Sequence, residues 1–265
     1  LSREIAKNKK RVYSLTWKKN SVAIISDGSA VLGLGNLGPE AALPVMEGKA
    51  VLFKEMANVN AVPIVLATQD TEKIIEIVKA IAPGFGGINL EDISAPRCFE
   101  IERRLIQELD IPVFHDDQHG TAIAVLAGLI NALKVVKKNI KSARIIISGA
   151  GAAGIAISNL LLKYGAKNMI VFDSKGSLCC ECARNTKGEK KAIACATNNH
   201  EYIKNIDKAL VGADVFIGVS APNLLKPNDI AAMNEGAIVF AMSNPEPEIS
   251  YKDADGREHK SGKRA

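Results

Sequence analysis

From residue 21 onward, short apolar runs alternate with stretches in which apolar residues recur at helical spacing. "SVAII", "AVPIVLA", "GGINL" and "IPVF" read as strands, and "GPEAALPVMEGKAVLFKEMA", "DTEKIIEIVKAI" and "APRCFEIERRLIQEL" as the helices between them. Strands separated in this way by helices predict a mainly parallel, helix-covered sheet. A long, strongly apolar helix, "GTAIAVLAGLINALKVVKKN", then stops in lysines, and a second series begins. It reads as strand "ARIIISG", turn and helix "GAGAAGIAISNLLLKYG", strand "NMIVFD", a polar insertion, helix "EYIKNIDKALVG", strand "ADVFIGVS", helix "PNDIAAMNEG" and strand "AIVFAMSN". That order is a dinucleotide-binding pattern. The expected fold is α/β with two domains, a parallel-sheet N-terminal domain over residues 1-118 and a Rossmann dinucleotide-binding domain over residues 119-265. The last stretch, "SYKDADGREHKSGKRA", has almost no apolar content and is expected to fray.

Composition narrows the function classes. With 265 residues, 47% hydrophobic and 24% charged, the chain is long enough to bury a substantial core. The net charge of +5 arises from lysines with acids mixed among them, so the surface field is modest. Aromatics make up only 5% and no basic run is interleaved with them, which argues against a nucleic-acid partner. No apolar run reaches the roughly 18 to 20 residues that span a bilayer, and the polar, helical opening "LSREIAKNKKRV" is unlike a signal peptide. A cytoplasmic enzyme is therefore expected, with its cysteines reduced. Cys179, Cys180 and Cys182 crowd into "LCCECAR", Cys195 lies further on, and without paired C-x-x-C spacing they read as thiols rather than a zinc knot. Cys98 reads as a lone buried thiol.

Chemistry begins at the glycines. Gly149, Gly151 and Gly154 directly follow a predicted strand and open a predicted helix, the context in which G-x-G-x-x-G carries meaning. The first permits the tight turn, the second lets backbone approach a pyrophosphate, and the third allows close helix packing, with the helix N-terminus facing the phosphates. Asp173 ends the next strand, 19 residues after Gly154, where a carboxylate meets ribose hydroxyls. It favours NAD, whereas the neighbouring Ser174 and Lys175 could receive the 2′-phosphate of NADP; both cofactors stay open.

Two acidic pairs occupy equivalent positions one βα unit apart: Glu91-Asp92 in "GGINLEDISAP" and Asp116-Asp117 in "VFHDDQHGT". Both should emerge at the carboxyl edge of the sheet, where gathered carboxylates repel unless a cation sits among them, and all-oxygen ligation suits Mg²⁺ or Mn²⁺. First-turn acids and N-caps on βα loops account for the same residues equally well. His115 and His119 resemble a zinc-protease pair, but that pair needs one continuous helix, whereas "PVF" is extended in character and Gly120 is expected to break a helix begun there. Lys49 lies on the helix after a glycine-spaced loop (Gly33, Gly35, Gly38) and reads either as an exposed helix lysine or, near a cation, as a base.

Taken together, "DGSAVLGLGNLGPEAALPVMEGKAVLFKEMA", "FGGINLEDISAPRCFEIERRL", "IPVFHDDQHGTAIAVLAGLINALKVV", "ISGAGAAGIAI", "DSKG", "GADVFIGVSAP" and "SNPEPEI" resemble, in order, the signatures of the malic enzymes in their bacterial and archaeal form. The resemblance implies oxidative decarboxylation of malate to pyruvate and CO₂, by way of oxaloacetate, with NAD or NADP and Mg²⁺ or Mn²⁺, in a homodimer. It implies that Glu91, Asp92 and Asp117 hold the metal, that Lys49 accepts the proton and touches substrate, and that Asp116 supports Lys49. It also implies that the loop of Ala150, Gly151, Ala152 and Ala153 holds the cofactor and that Asn244 touches cofactor or substrate. The family's "YSPG" segment, source of its tyrosine general acid, has no match around Tyr13, Tyr164, Tyr202 or Tyr251, and its downstream "TGRSDFPNQ" segment is absent. A chain truncated at both ends is the expectation, and a catalytically impaired remnant that binds metal and nucleotide is the alternative. Another two-domain hydroxy- or amino-acid dehydrogenase is disfavoured because it needs no acidic metal cluster.

Overall fold

The computed structural model describes residues 1–31, 33–181, 187–197 and 202–255. The chain divides into two compact units, Leu1–Asp117 and Gln118–Ala265. The first opens with short helices α1 (Ser2–Lys7) and α2 (Val12–Leu15). It continues through β1 (Ser21–Ser26), α3 (Pro39–Ala57), β2 (Asn60–Val65), α4 (Thr71–Ile81), β3 (Gly87–Leu90), α5 (Arg97–Glu108) and β4 (Val113–His115). The sheet order is β2-β1-β3-β4 and every pairing is parallel. Ile24, Ile25 and Leu90 of the sheet and Ile74, Val78, Ile101 and Leu105 of the covering helices are fully buried, so the core lies between sheet and helices as the apolar runs predict.

Parallel strands point all their carboxyl ends to one edge. Because β3 lies between β1 and β4, the residues just after β3 and those just after β4 are neighbours there, although their positions in the chain are far apart.

The long helix α6 runs Asp116–Val135 and starts immediately after β4. Gly120, expected to break it, lies inside it; a single glycine costs a helix only about 1 kcal/mol relative to alanine, which the apolar turns after it outweigh. Asp116 and Asp117 consequently occupy the first turn of α6, and His115 is the last residue of β4.

The second unit continues with β5 (Arg144–Ser148), α7 (Ala152–Tyr164), β6 (Asn168–Asp173), β7 (Gly176–Ser177), α8 (Gly188–Thr197), α9 (Ile206–Leu210), β8 (Val215–Gly218), α10 (Pro227–Ala231), β9 (Ile238–Ala241) and α11 (Tyr251–Asp255). Its sheet runs β7-β6-β5-β8-β9, parallel throughout except for the short antiparallel β7. Phe216, Ile146, Phe172 and Leu210 centre one core cluster of this unit.

Two expectations for this unit need correction, and one segment holds elements that the sequence pattern does not announce. The polar insertion after Asp173 contains β7 and α8, whose lysine-rich outer face hides the short apolar stripe of buried Ile193 and Ala194. Cys180 and Cys195 form a disulfide with their Cα atoms 4.5 Å apart, not a pair of thiols; α8 folds back on the segment after β7, a proximity that linear spacing does not encode. Tyr251–Asp255 is helical rather than frayed, started by Ser250, whose Oγ accepts the Asp253 N–H. Cys182 and residues 256–265 lie outside the described residues. Cys98 is a buried free thiol, as expected, and burial together with Asp117 pushes it up to about 12.

Candidate active site

The carboxyl edge of the first sheet carries the acidic residues. Glu91 and Asp92 come directly after β3, Asp117 lies one residue into α6 after β4, and one carboxylate oxygen from each falls within 4.8 Å of the others. Glu91 and Asp92 are 5% and 3% exposed, so they are buried rather than solvated first-turn acids. The backbone is bent to bring them there: Asp92 has φ 54°, a left-handed conformation that costs a non-glycine residue on the order of 1 kcal/mol and recurs at functional sites. The Asp92 N–H donates to Asp117 Oδ2 at 3.0 Å, and the Asp92 carbonyl accepts the Ala30 N–H at 3.0 Å.

Lys49 enters this edge from α3. Gly38 (φ 85°) and Pro39 start the helix and direct it along the sheet, so that the Lys49 ammonium donates to Asp116 Oδ2 at 2.6 Å and lies 3.2 Å from Glu91 Oε1. Of the other loop glycines, Gly35 (φ 88°) serves a turn closed by pairing with Val31. Asn89, from β3 itself, donates its amide to the second Glu91 oxygen at 2.9 Å.

Removal of charged groups from water is the dominant electrostatic feature, with like-charge crowding second. Burial, reinforced by Asp117, pushes Glu91 up to about 8 against the pull of Lys49 and Asn89. Burial also raises Asp117, partly offset by His115 and the Asp92 N–H. For Lys49, desolvation favours the neutral amine, but Glu91 and Asp116 together outweigh it and hold the ammonium above its ordinary pKa. Two buried carboxylates and a half-buried third, brought within 4.8 Å of one another, are a poor arrangement for protein alone and a good one around a hard divalent cation; the all-oxygen donor set fits Mg²⁺ or Mn²⁺.

The histidines separate. His115 is fully buried, its backbone N–H donates to Glu102 Oε1 at 2.8 Å, and its Nε2 lies 3.9 Å from Asp117 Oδ2. His119 belongs to α6, so the two do not share one helix.

In the second unit the glycine turn has the form that dinucleotide binding needs. A Cβ on Gly154 would sit 1.7 Å from the Gly149 carbonyl oxygen, and Gly149 (φ 110°) itself packs against Val219. A Cβ on Gly151 would meet nothing within 4 Å, so its missing side chain faces open space at the N-terminus of α7, where a pyrophosphate would lie. Ala150 is buried, Ala152 and Ala153 are half-buried in the first turn, and Asn244 is exposed after β9. Asp173 ends β6; its Oδ1 accepts the Lys175 N–H at 2.8 Å, and Lys190 Nζ of α8 lies 3.4 Å from its Oδ2.

Several participants escape a reading of the sequence. Lys190 sits in the helix concealed by its own polarity. Glu102 leaves a signal, a carboxylate inside the apolar stripe of Cys98, Ile101 and Leu105 on α5. Asn89 leaves none, since a single amide in a buried strand resembles any other. Arg97 donates to Asp27 Oδ2 and Ser29 Oγ, each at 2.9 Å, tying the β1 loop to the start of α5; nothing in the spacing of those residues announces it.

Both halves of the chain resemble known proteins. Residues 2–106 match the family model for the malic enzyme N-terminal domain, and residues 118–264 that for the malic enzyme NAD binding domain. The chain is 58% identical over 254 residues to the NAD-dependent malic enzyme of Geobacillus stearothermophilus and 52% identical over 252 residues to the bifunctional malic/malolactic enzyme of Bacillus subtilis. Each alignment covers 95% of this chain but only 52% and 62% of the respective relative, so the chain spans little more than half their length. The crystal structure of an NAD-dependent malic enzyme from Thermotoga maritima superposes with a TM-score of 0.90 at 48% identity, covering 96% of this chain and 67% of that one. Matched in order by both domain models, and aligned along nearly its whole length with relatives more than half identical to it, the chain belongs to the malic enzyme family.

Proposed function

We propose that this chain carries the catalytic core for oxidative decarboxylation of malate to pyruvate and CO₂ with reduction of NAD or NADP. The observation that supports it most is the Lys49 ammonium held by Asp116 and Glu91 at the edge where Glu91, Asp92 and Asp117 converge. Glu91, Asp92 and Asp117 would hold Mg²⁺ or Mn²⁺, which supplies a Lewis acid for the oxygens of a 2-hydroxy acid and its keto product. Lys49 Nζ, once it has given up the proton of its resting ammonium form, takes the proton from the C2 hydroxyl as that carbon is oxidised to give oxaloacetate. Asp116 Oδ2 fixes where the amine points and stabilises the ammonium that results. Asn89 fixes Glu91, and the buried His115 lies beside Asp117.

The turn from Gly149 through Ala150, Gly151, Ala152 and Ala153 to Gly154 receives the dinucleotide, whose nicotinamide accepts the hydride when bound. Asn244 contributes to cofactor or substrate binding. Asp173 suits the ribose hydroxyls of NAD, whereas Lys190 and Lys175 beside it offer positive charge to a 2′-phosphate, so this position sets the preference between the two. The same reading carries a cytoplasmic homodimer; light scattering at working concentration tests the assembly.

The chain incubated with malate, Mn²⁺ and either nucleotide should release pyruvate and NAD(P)H in equal amounts. Reduction or decarboxylation of oxaloacetate without pyruvate from malate would support the impaired remnant instead. No turnover of either acid would remove the enzymatic reading.

A further inference from the structure

Glu248 is fully buried, yet among the described residues no ion pair includes it. A carboxylate removed from water without a cationic partner is costly unless hydrogen bonds replace its hydration. Here they do. Glu248 Oε1 accepts the Ser220 N–H at 2.9 Å, and Oε2 accepts the Ser243 N–H at 3.0 Å. The carboxylate thus bridges the loop after β8 to the loop after β9, and each oxygen holds one of them.

The space it occupies is reserved by a glycine. A Cβ on Gly218, the last residue of β8, would lie 2.3 Å from Glu248 Cδ and 2.6 Å from both carboxylate oxygens. The bridge also extends to the glycine turn: Ser220 Oγ lies 2.8 Å from Ser148 Oγ, and the Val219 N–H donates to the Ser148 carbonyl at 2.9 Å. A continuous set of contacts therefore runs from the end of β5, through Ser220 and Glu248, to Ser243 and its neighbour Asn244.

Sheet order says which half of a dinucleotide this set would serve. With the pyrophosphate at the β5–α7 turn and Asp173 at the end of β6, the adenosine half lies on the β6 side of β5. The other half must then lie over the ends of β8 and β9, the two loops that Glu248 joins. Resting on the reading that a dinucleotide binds at this turn, we propose that Glu248 is the positioning residue for the nicotinamide half, holding the Ser220 and Ser243–Asn244 loops at the spacing that receives it.

The test compares two probes on the full chain, NAD⁺ and ADP, the second lacking the nicotinamide half. In Glu248→Gln the volume is kept but the charge is gone and the amide NH₂ opposes a backbone N–H, so one hydrogen bond is lost and the other is no longer charge-assisted, an effect worth roughly tenfold or more. NAD⁺ affinity should fall by roughly tenfold while ADP affinity stays within about twofold, because only one half of the site moves. Gly218→Ala, which displaces the carboxylate without removing it, should give the same selective loss and serves if Glu248→Gln does not fold. Equal loss of both probes would reduce Glu248 to a structural residue, and unchanged NAD⁺ affinity would overturn the proposal outright. If the wild-type chain binds neither probe, the dinucleotide reading fails first and takes this one with it.

Discussion

Lys49 Nζ stands 2.6 Å from Asp116 Oδ2, although the two residues lie 67 positions apart and come from different helices. Asp116 and Glu91 hold the ammonium form, opposing the desolvation that favours the amine. Asp116→Asn removes both a hydrogen bond and a charge that raise the lysine, so the Lys49 pKa falls. A base acts only when deprotonated, so the acid limb of the kcat/KM profile for malate should move to lower pH in this variant, with kcat reduced as the amine loses its anchor. Lys49→Ala should lower kcat by roughly 10²- to 10⁴-fold. A profile whose acid limb does not move on Asp116→Asn would remove Lys49 from the role of base.

The acidic cluster predicts opposite signs with and without metal. Burial and Asp117 push Glu91 up to about 8, so Asp117→Asn relieves repulsion and should raise the melting temperature of metal-free protein. With Mn²⁺ at a hundred times its Kd, the wild type should gain about 2.7 kcal/mol of stability. The variant should lose most of that gain. Thermal melts with and without Mn²⁺, alongside calorimetric titration, measure both; equal Mn²⁺ stabilisation of the two proteins would place the cation elsewhere.

Alternating strands and helices are legible because apolar runs mark strands, buried in β1 and β3 and half-buried in the edge strand β2, and helical stripes mark buried faces; their parallel order then brings the ends of β3 and β4 together. That is why Glu91, Asp92, Asp116 and Asp117 can be grouped from the sequence before any coordinate is known. Choosing between ligand and helix cap is a different matter, since it depends on burial and on a left-handed Asp92, which no pattern of residue types encodes. The start of α6 is misread because Gly120 is weighed alone, whereas the helix is decided by the apolar turns beyond it. Glu248 and Lys190 are missed for a shared reason: their partners are backbone groups or side chains brought by other elements, and their own neighbours in sequence are ordinary.

Two of the three glycines of the nucleotide turn, Gly154 and Gly151, should separate folding from binding. Gly154→Ala forces a methyl group to within 1.7 Å of the Gly149 carbonyl oxygen, so backbone must shift, and both the melting temperature and NADH affinity should drop. Gly151→Ala meets no protein atom within 4 Å and should melt like the wild type. Its methyl group nevertheless enters the space through which a pyrophosphate approaches, so NADH binding, followed by fluorescence, should weaken by tenfold or more, about 1.4 kcal/mol. Unchanged binding by Gly151→Ala would move the phosphate site away from this turn.

Asp214 links stability to pH at a position remote from any proposed chemistry. Partial burial raises its pKa, but hydrogen bonds from the Lys138 ammonium, the Arg144 N–H and the Asn234 amide overcome this and hold the carboxyl below its ordinary value of 3.8. Because the folded pKa is lower than the unfolded one, the unfolded chain binds more protons between the two values. The stabilisation is therefore complete above the unfolded pKa and is lost as pH falls through the folded one. Asp214→Asn should melt at a lower temperature than the wild type near neutrality, and the gap should narrow steadily once the pH drops below about 4. Thermal melts of both proteins across an acid series give the comparison directly. A gap of constant size down to the acid limit of folding would mean that the Lys138 contact contributes through packing rather than charge.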